Sequence, residues 1–123
     1  MPRFSKESRD KLVFVHPDLV MVCEHAIKRV DFKITEGLRS RERQRQLVRE
    51  GKSWTMNSKH LLHPDGYCRA IDFIPYPFNG WEDLLSFAHV LMVFGEEASD
   101  LGIPLRFGGN WEQRDYPHIE LDF

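Results

Sequence analysis

A short segment with alternating apolar and polar residues most constrains the fold of this chain. It reads CRAIDF and spans residues 68–73. Side chains two positions apart on a β-strand share one face of the sheet. Cys68, Ala70 and Asp72 would therefore lie on one face, and Ile71 and Phe73 on the other. We expect a strand that sends its apolar pair into a core and directs Asp72 into a cleft.

A second segment near the C-terminus shows the same alternation. In PHIELDF, the polar residues His118 and Glu120 alternate with the apolar residues Ile119 and Leu121. The same strand rule predicts one apolar face and one face that carries His118 and Glu120. Both strands therefore offer side chains that can bind a metal ion.

The rest of the chain mixes helices and strands without a repeating strand–helix–strand rhythm. Ser5 and Ser40 are suited to cap helices, and Asn79 with Glu82 resembles a capping box. The predicted helices span residues 6–12, 17–30, 41–50 and 81–102, further strands span 31–36 and 104–108, and a long loop spans 51–67. This order predicts an α+β fold with a small antiparallel sheet and flanking helices.

Bulk properties restrict the classes of partner. The chain has 123 residues, which is enough for one domain with its own core, and we expect a single domain over 1–123. Its 17 Lys and Arg nearly balance its 19 Asp and Glu, so the charge pattern of a nucleic-acid-binding protein is missing. No apolar run reaches the length of a membrane span. Cys23 and Cys68 lack the spacing of a zinc knuckle and are expected to be reduced.

A metal site would therefore use histidine and carboxylate ligands. Hydrolytic zinc sites take three such ligands and leave a fourth position open for water. His60, Asp72 and His118 would form this set. The residues alone do not select it, because the chain contains six histidines and 19 carboxylates. At this point, a surface position for His60 or His63 is the favoured interpretation.

Five stretches resemble motifs of one peptidase family. The stretches ITEGLRS, SKH, GYCRAIDF, LRFGGNW and DYPHIEL occur in this order between residues 34 and 121. Together they resemble the motifs of peptidase family M15, zinc enzymes that cut the stem peptides of peptidoglycan. This group includes D-Ala-D-Ala carboxypeptidases, L-alanyl-D-glutamate endopeptidases and small phage endolysins, and its fold is shared with the Hedgehog signalling domains. The resemblance spans about residues 32–123.

The resemblance implies a metal site and a catalytic residue. His60, Asp72 and His118 would bind Zn²⁺, and Asp115 would serve as the catalytic acid and base near the metal. One departure concerns the first ligand, since LLHPD is inserted between His60 and Gly66. His63 is the alternative ligand, but the serine before His60 matches the motif, so His60 is preferred.

Further roles follow from the same resemblance. Arg39 would stabilise the oxyanion or bind a substrate carboxylate through its planar guanidinium. Glu120 would orient a histidine ligand, and Ser58 would hydrogen-bond the substrate. Trp54, Trp81 and Trp111 are candidates for the substrate groove, with core packing as the alternative for Trp81 and Trp111.

The implied function is a phage endolysin that hydrolyses the L-alanyl-D-glutamate bond of stem peptides. It would act as a monomer without a separate wall-binding domain, accumulate in the host cytoplasm and reach the periplasmic cell wall after membrane permeabilisation. A D-Ala-D-Ala carboxypeptidase is the first alternative. A zinc-stabilised binding module is the second, and Asp115 argues against it because binding requires no acid beside a metal.

Overall fold

The computed structural model describes residues 2–123. Four α-helices, one 3₁₀ helix and four strands are found in this part of the chain. The helices are α1 (Lys6–Lys11), α2 (Pro17–Ile27), α3 (Arg41–Arg49), α4 (Leu84–Leu101) and the 3₁₀ turn Gly108–Asn110; the strands are β1 (Phe32–Glu36), β2 (Ala70–Pro75), β3 (Leu105–Phe107) and β4 (His118–Leu121). None of these helices combines the length and the hydropathy that a bilayer crossing requires.

The strands form one antiparallel sheet in the order β1-β2-β4-β3. Asp72 of β2 lies directly opposite His118 of β4, and Glu36 of β1 lies opposite Asp72. Directly opposite residues on paired strands point to the same face. The predicted α+β fold with an antiparallel sheet is therefore confirmed, and its two central strands bring Asp72 and His118 together.

The opposite face of the sheet is covered by helices. Ile71, Phe73, Ile119 and Leu121 are fully buried there. They pack with apolar residues of α2 and α4 in one core, which includes Leu19, Val22, Cys23, Phe87, Val90, Val93 and Phe94. Burying large apolar side chains is the main source of stability in such a core. The helices thus leave the face of Asp72 and His118 free for a site.

Local signals explain where most helices begin. The side chains of Ser5 and Ser40 accept hydrogen bonds from the backbone of Ser8 and Arg43, as predicted for N-caps. The prediction for α4 was wrong at its start, because Asp83 caps this helix through Ser86. Helix α2 also ends at Ile27, three residues earlier than predicted.

The early stretch of the predicted fourth helix is turned instead of helical. Gly80 has a φ of 101°, a left-handed value that interrupts a helix. The Asn79 and Glu82 pattern therefore lies before the helix, and the aspartate nearer to the apolar run provides the cap. Both cysteines are free and buried, as expected for reduced thiols. The expected single catalytic domain stays a prediction.

Gly37 lies at a point of close contact between β1 and the N-terminal segment. A β-carbon at this position would overlap the backbone oxygen of Lys11 and lie 3.1 Å from Cγ2 of Val15. We expect Gly37→Ala to lower the free energy of unfolding by about 1–3 kcal/mol, as overpacked sites usually do. Urea denaturation would measure the change.

Gly95 provides the matched control for this substitution. It lies inside α4, where a β-carbon would meet only Cζ of Phe107 at 4.0 Å. Since alanine favours helices over glycine, Gly95→Ala should raise the free energy of unfolding by about 0.5–1 kcal/mol. Equal destabilisation by both substitutions would contradict the steric explanation.

Candidate metal and catalytic site

Three potential metal ligands meet on the open face of the sheet. Nε2 of His60 and Nδ1 of His118 each lie 3.3 Å from Oδ1 of Asp72. One donor atom from each residue lies within 4.8 Å of the others, so this group could hold a metal ion. His60 is 1% exposed and His118 6% exposed. The structure thus brings together the three residues that the sequence predicts as ligands.

The loop before β2 holds His60 in this position. The backbone oxygen of His60 accepts a hydrogen bond from the Arg39 amide at 2.9 Å, and its amide donates to Oγ of Ser58 at 3.1 Å. The next anchor is the Arg69 amide, which donates to the oxygen of Lys59 at 2.7 Å. Ser58 therefore shapes the His60 turn, besides lining the cavity described below.

Hydrogen bonds to the outer ring nitrogens determine the protonation of both histidines. Nδ1 of His60 lies 2.8 Å from the oxygen of Gly37, and Nε2 of His118 lies 2.7 Å from Oε1 of Glu120. Carbonyl and carboxylate oxygens only accept, so these nitrogens carry the proton. In the neutral rings, the inner nitrogens then present lone pairs to Asp72.

This donor set fits a zinc ion. Two imidazole nitrogens and one carboxylate oxygen are the ligands of many hydrolytic zinc sites. Three acceptor atoms that face one another repel unless a cation lies between them, and here the outer hydrogen bonds already hold the ring protons away. A carboxylate or carbonyl behind each histidine is also the usual support for such ligands. The residues present therefore fit a zinc centre.

In the absence of metal, a proton on His118 can relieve the repulsion between these acceptor atoms. Burial alone would lower the pKa of His118, but hydrogen bonds to Asp72 and Glu120 and their charges outweigh it and raise this pKa to about 9. Burial would raise the pKa of Asp72, yet the charge of His60 and the hydrogen bonds of both histidines hold it well below its usual range.

The metal-free protein should therefore lose stability at alkaline pH. A protonated His118 stabilises the folded state fully below pH 6.5, its ordinary pKa, and this contribution is lost as the pH rises through about 9. We expect the free energy of unfolding to fall by up to about 3 kcal/mol over this interval. Urea denaturation of chelator-treated protein at several pH values would measure it.

The zinc-loaded protein is the control for this pH dependence. A bound ion replaces the proton on Nδ1 of His118, so the stability of the loaded form should change less between pH 6.5 and 9. Parallel curves for both forms would contradict a shared site for proton and metal.

Asp115 lies beside this cluster without belonging to it. Its backbone amide donates to Gly108 at 2.9 Å, and its oxygen accepts from the His118 amide at 3.1 Å. Burial, and then the negative charge of Asp72, raises the pKa of its carboxyl. Within residues 2–123, the group of side chains close enough to share one metal ion does not include Asp115. Such a carboxyl is suited to exchange protons near a metal.

Gly108 allows this approach of Asp115 to the cluster. A β-carbon on Gly108 would overlap the backbone oxygen of Asp115 and lie 2.9 Å from Cβ of His118. The 3₁₀ turn can therefore pack directly against the turn that leads into β4. A glycine at position 108 of LRFGGNW is therefore required for this packing next to the site.

Arg39 forms side-chain contacts that the sequence did not predict. Its Nε and Nη2 donate to the two carboxylate oxygens of Glu36 at 2.8 Å each, and Nη1 donates to Oε1 of Gln44 at 2.8 Å. Nη2 also lies 3.4 Å from Oδ2 of Asp72. In this structure the planar edge of Arg39 binds Glu36, and the role predicted for Arg39 toward an oxyanion or a substrate carboxylate stays a prediction.

Two supporting residues were not predicted from the sequence. Glu36 belongs to the ITEGLRS stretch, but its pairing with Arg39 requires the turn between them. Gln44 is fully buried on α3, three residues before buried Leu47. The spacing of Gln44 and Leu47 on one helix face was the available signal that Gln44 is buried.

A cavity of about 630 Å³ opens over the cluster. Its walls combine the three ligand candidates and Asp115 with charged and aromatic side chains, namely Glu36, Arg39, Lys59, Trp54, Trp111 and Glu120. His63 does not line it, and Nδ1 of His63 instead lies 3.0 Å from the oxygen of Leu61. Trp81, which was one of three groove candidates, is 62% exposed outside this lining.

Comparisons with known proteins agree on one family. A family described as phage L-alanyl-D-glutamate peptidase matches residues 1–122. The L-alanyl-D-glutamate peptidase of Escherichia phage T5 is 35% identical, over 97% of this chain and 88% of its own length. The crystal structure of the Serratia marcescens L-Ala D-Glu endopeptidase ChiX is similar with a TM-score of 0.85 and 36% identity, covering 98% of this chain and 90% of that one. The chain therefore belongs to the phage L-alanyl-D-glutamate peptidase family.

Proposed function

We propose that this peptidase is a zinc-dependent endolysin that hydrolyses the L-alanyl-D-glutamate bond of peptidoglycan stem peptides. The observation that carries the proposal is the arrangement in one cavity of the His60, Asp72 and His118 donor atoms with Asp115 beside them. A metal site with an adjacent, unligated carboxyl has the parts that amide hydrolysis requires.

The three donors would hold the ion, and other residues would hold the donors. When bound, zinc supplies a Lewis acid that polarises the scissile carbonyl and makes water a better nucleophile. Glu120 keeps the His118 ring in the tautomer that directs Nδ1 inwards, and the oxygen of Gly37 does the same for Nε2 of His60.

Asp115 would move the proton during hydrolysis. Its carboxylate accepts a proton from the attacking water, while the water oxygen bonds to the carbonyl carbon of L-alanine. The protonated carboxyl then donates to the nitrogen of D-glutamate as the amide bond breaks. A carboxyl with a raised pKa holds this proton better between the two steps.

Arg39 would act mainly through Asp72. The guanidinium lies between Glu36 and Asp72, and its side chain is only 9% exposed. We therefore assign to Arg39 the orientation of a metal ligand and the balancing of two carboxylates. Ser58 would act in the same way on His60, by accepting the hydrogen bond of its amide.

The biological setting completes the proposal. A related peptidase is encoded by phage T5, so we infer production in the host cytoplasm and action on the cell wall after membrane permeabilisation. The three donor atoms come from one chain, and a monomer is therefore sufficient for the site. Peptidoglycan, and not nucleic acid or a membrane, is the proposed partner.

Product analysis tests the bond that is cleaved. Purified protein with one zinc equivalent should convert a defined muropeptide into a peptide with a new N-terminal D-glutamate, identified by end-group labelling and mass spectrometry. The same reaction after chelation should yield no product. Release of free D-alanine would instead show a D-Ala-D-Ala carboxypeptidase and contradict the proposed bond.

A further inference from the structure

One aromatic residue of the groove, Trp54, belongs to a segment, residues 54–57, that has few hydrogen bonds to the rest of the molecule. Residues 51–53 are bound to the end of α3, because the amides of Lys52 and Ser53 donate to the oxygen of Leu47 at 2.9 and 3.2 Å. The following residues 54–57 include Trp54, which is 60% exposed on the rim. Their own bonds are mostly local, such as that of the Asn57 amide to Oγ1 of Thr55 at 2.9 Å.

Gln44 provides the tie between this segment and the rest of the molecule. Its Nε2 donates to the oxygen of Thr55 at 2.6 Å and to Oγ of Ser53 at 2.9 Å. Among residues 2–123, the bond to Thr55 is the hydrogen bond that joins residues 54–57 to a helix or strand. Gln44 is fully buried, so this bond is shielded from competing water.

The position of Trp54 matters because Trp54 contacts Trp111, which in turn lies beside the ligand candidate His118. Its ring meets the Trp111 ring edge to face at 5.8 Å between centroids, and Trp111 lies 4.8 Å from the ring of His118. The two tryptophans form an apolar wall in a cavity whose other sides are largely charged. Aliphatic parts of a peptide can pack against such a wall.

We propose that Gln44 is a positioning residue that holds Trp54 against Trp111 and thereby sets the affinity of the groove for its peptide substrate. The inference rests on the proposed function for its substrate, but its structural part does not. Gln44 joins the two sides of the site, since its Oε1 accepts from Arg39 while its Nε2 holds the segment of Trp54.

Gln44→Glu separates these two contacts. The carboxylate still accepts from Arg39, whereas it offers no donor to the oxygen of Thr55. With a defined muropeptide, we expect KM to rise about tenfold, the value for one lost buried hydrogen bond, with kcat changed by less than about twofold. Bound zinc should stay at one per chain. Gln46→Met, on the exposed face of the same helix, should change neither constant.

A double-substitution cycle identifies the route of the effect. If Gln44 acts through Trp54, then Gln44→Glu should add little to the rise in KM that Trp54→Ala already causes. Fully additive effects would overturn the proposal and assign Gln44 to Arg39 alone. An unchanged KM in the single variant would overturn it as well.

Near-ultraviolet circular dichroism tests the positioning without any substrate. The Trp54–Trp111 contact should give a band that both Trp54→Phe and Gln44→Glu remove. A band retained in Gln44→Glu would overturn the positioning role, even if the wild type cleaved no stem peptide and the proposed function failed. If the buried carboxylate prevents folding, Gln44→Met takes its place in both measurements. It removes the donor to Thr55 without adding charge, and because it also removes the acceptor for Arg39, the double-substitution cycle with Trp54→Ala separates the two contacts.

Discussion

Asp115→Asn should lower kcat by about 10²–10⁴-fold, the usual contribution of a positioned acid and base, while zinc content stays at one per chain. Asparagine has nearly the same size but cannot accept the proton of the attacking water or return it to the amine. The Asp115 side chain is not one of the three metal donors, so its substitution should leave the ion bound. Steady-state kinetics on a defined muropeptide and elemental analysis would measure both quantities.

Asp100→Asn is the control for this substitution. Asp100 is exposed on α4 and does not line the cavity over the cluster, so its substitution should leave kcat unchanged. Wild-type turnover by Asp115→Asn would show that another group moves the proton. It would also restore the zinc-stabilised binding module as an interpretation of this site, since Asp115 is the main argument against it.

His60→Ala should abolish both zinc binding and lysis of outer-membrane-permeabilised Gram-negative cells. Removing Nε2 of His60 leaves two donors, too few for a stable hydrolytic zinc site. His63→Ala is the matched variant from the same loop. The His63 ring is half-buried outside the cavity and lies against the oxygen of Leu61, so zinc content and activity should stay within about twofold of the wild type. Elemental analysis and turbidity measurements provide the readouts.

The reverse pattern would contradict the ligand assignment. If zinc were lost in His63→Ala and retained in His60→Ala, the true ligand would be His63, which lies within the inserted stretch LLHPD. Because His60 is buried, circular dichroism must show that His60→Ala is folded. A folded His60→Ala variant that keeps one zinc per chain would exclude His60 as a ligand.

Much of the site could be predicted because strand geometry is local. Alternation alone placed Asp72 and His118 on polar strand faces, and antiparallel pairing then set them opposite each other. The caps Ser5 and Ser40 were equally predictable, since each bonds an amide three residues away. The position of His60 depended on the resemblance to known motifs, because a loop has no periodicity to read.

The contacts of Arg39 could not be predicted in this way. Its planar edge binds Glu36, which requires the turn between β1 and α3. The role of Gln44 likewise depends on how the segment after α3 folds back over the helix. Asp83 replaced Asn79 as the cap of α4 because Gly80 turns the chain between them. The contacts of Arg39 and Gln44 depend on how the chain folds back on itself, which a single sequence does not reveal. The cap of α4 is a local choice between two suitable residues, which the turn at Gly80 decides.

Gly37 links the metal site to a part of the chain that carries no ligand. Its oxygen accepts from Nδ1 of His60, and its α-carbon lies against the end of α1 at Lys11. The motif resemblance begins near residue 32, whereas the family match begins at residue 1. Tags, fusions or truncations at the N-terminus should therefore be judged by zinc retention as well as by solubility, because displacing α1 would misorient a ligand on the far side of Gly37.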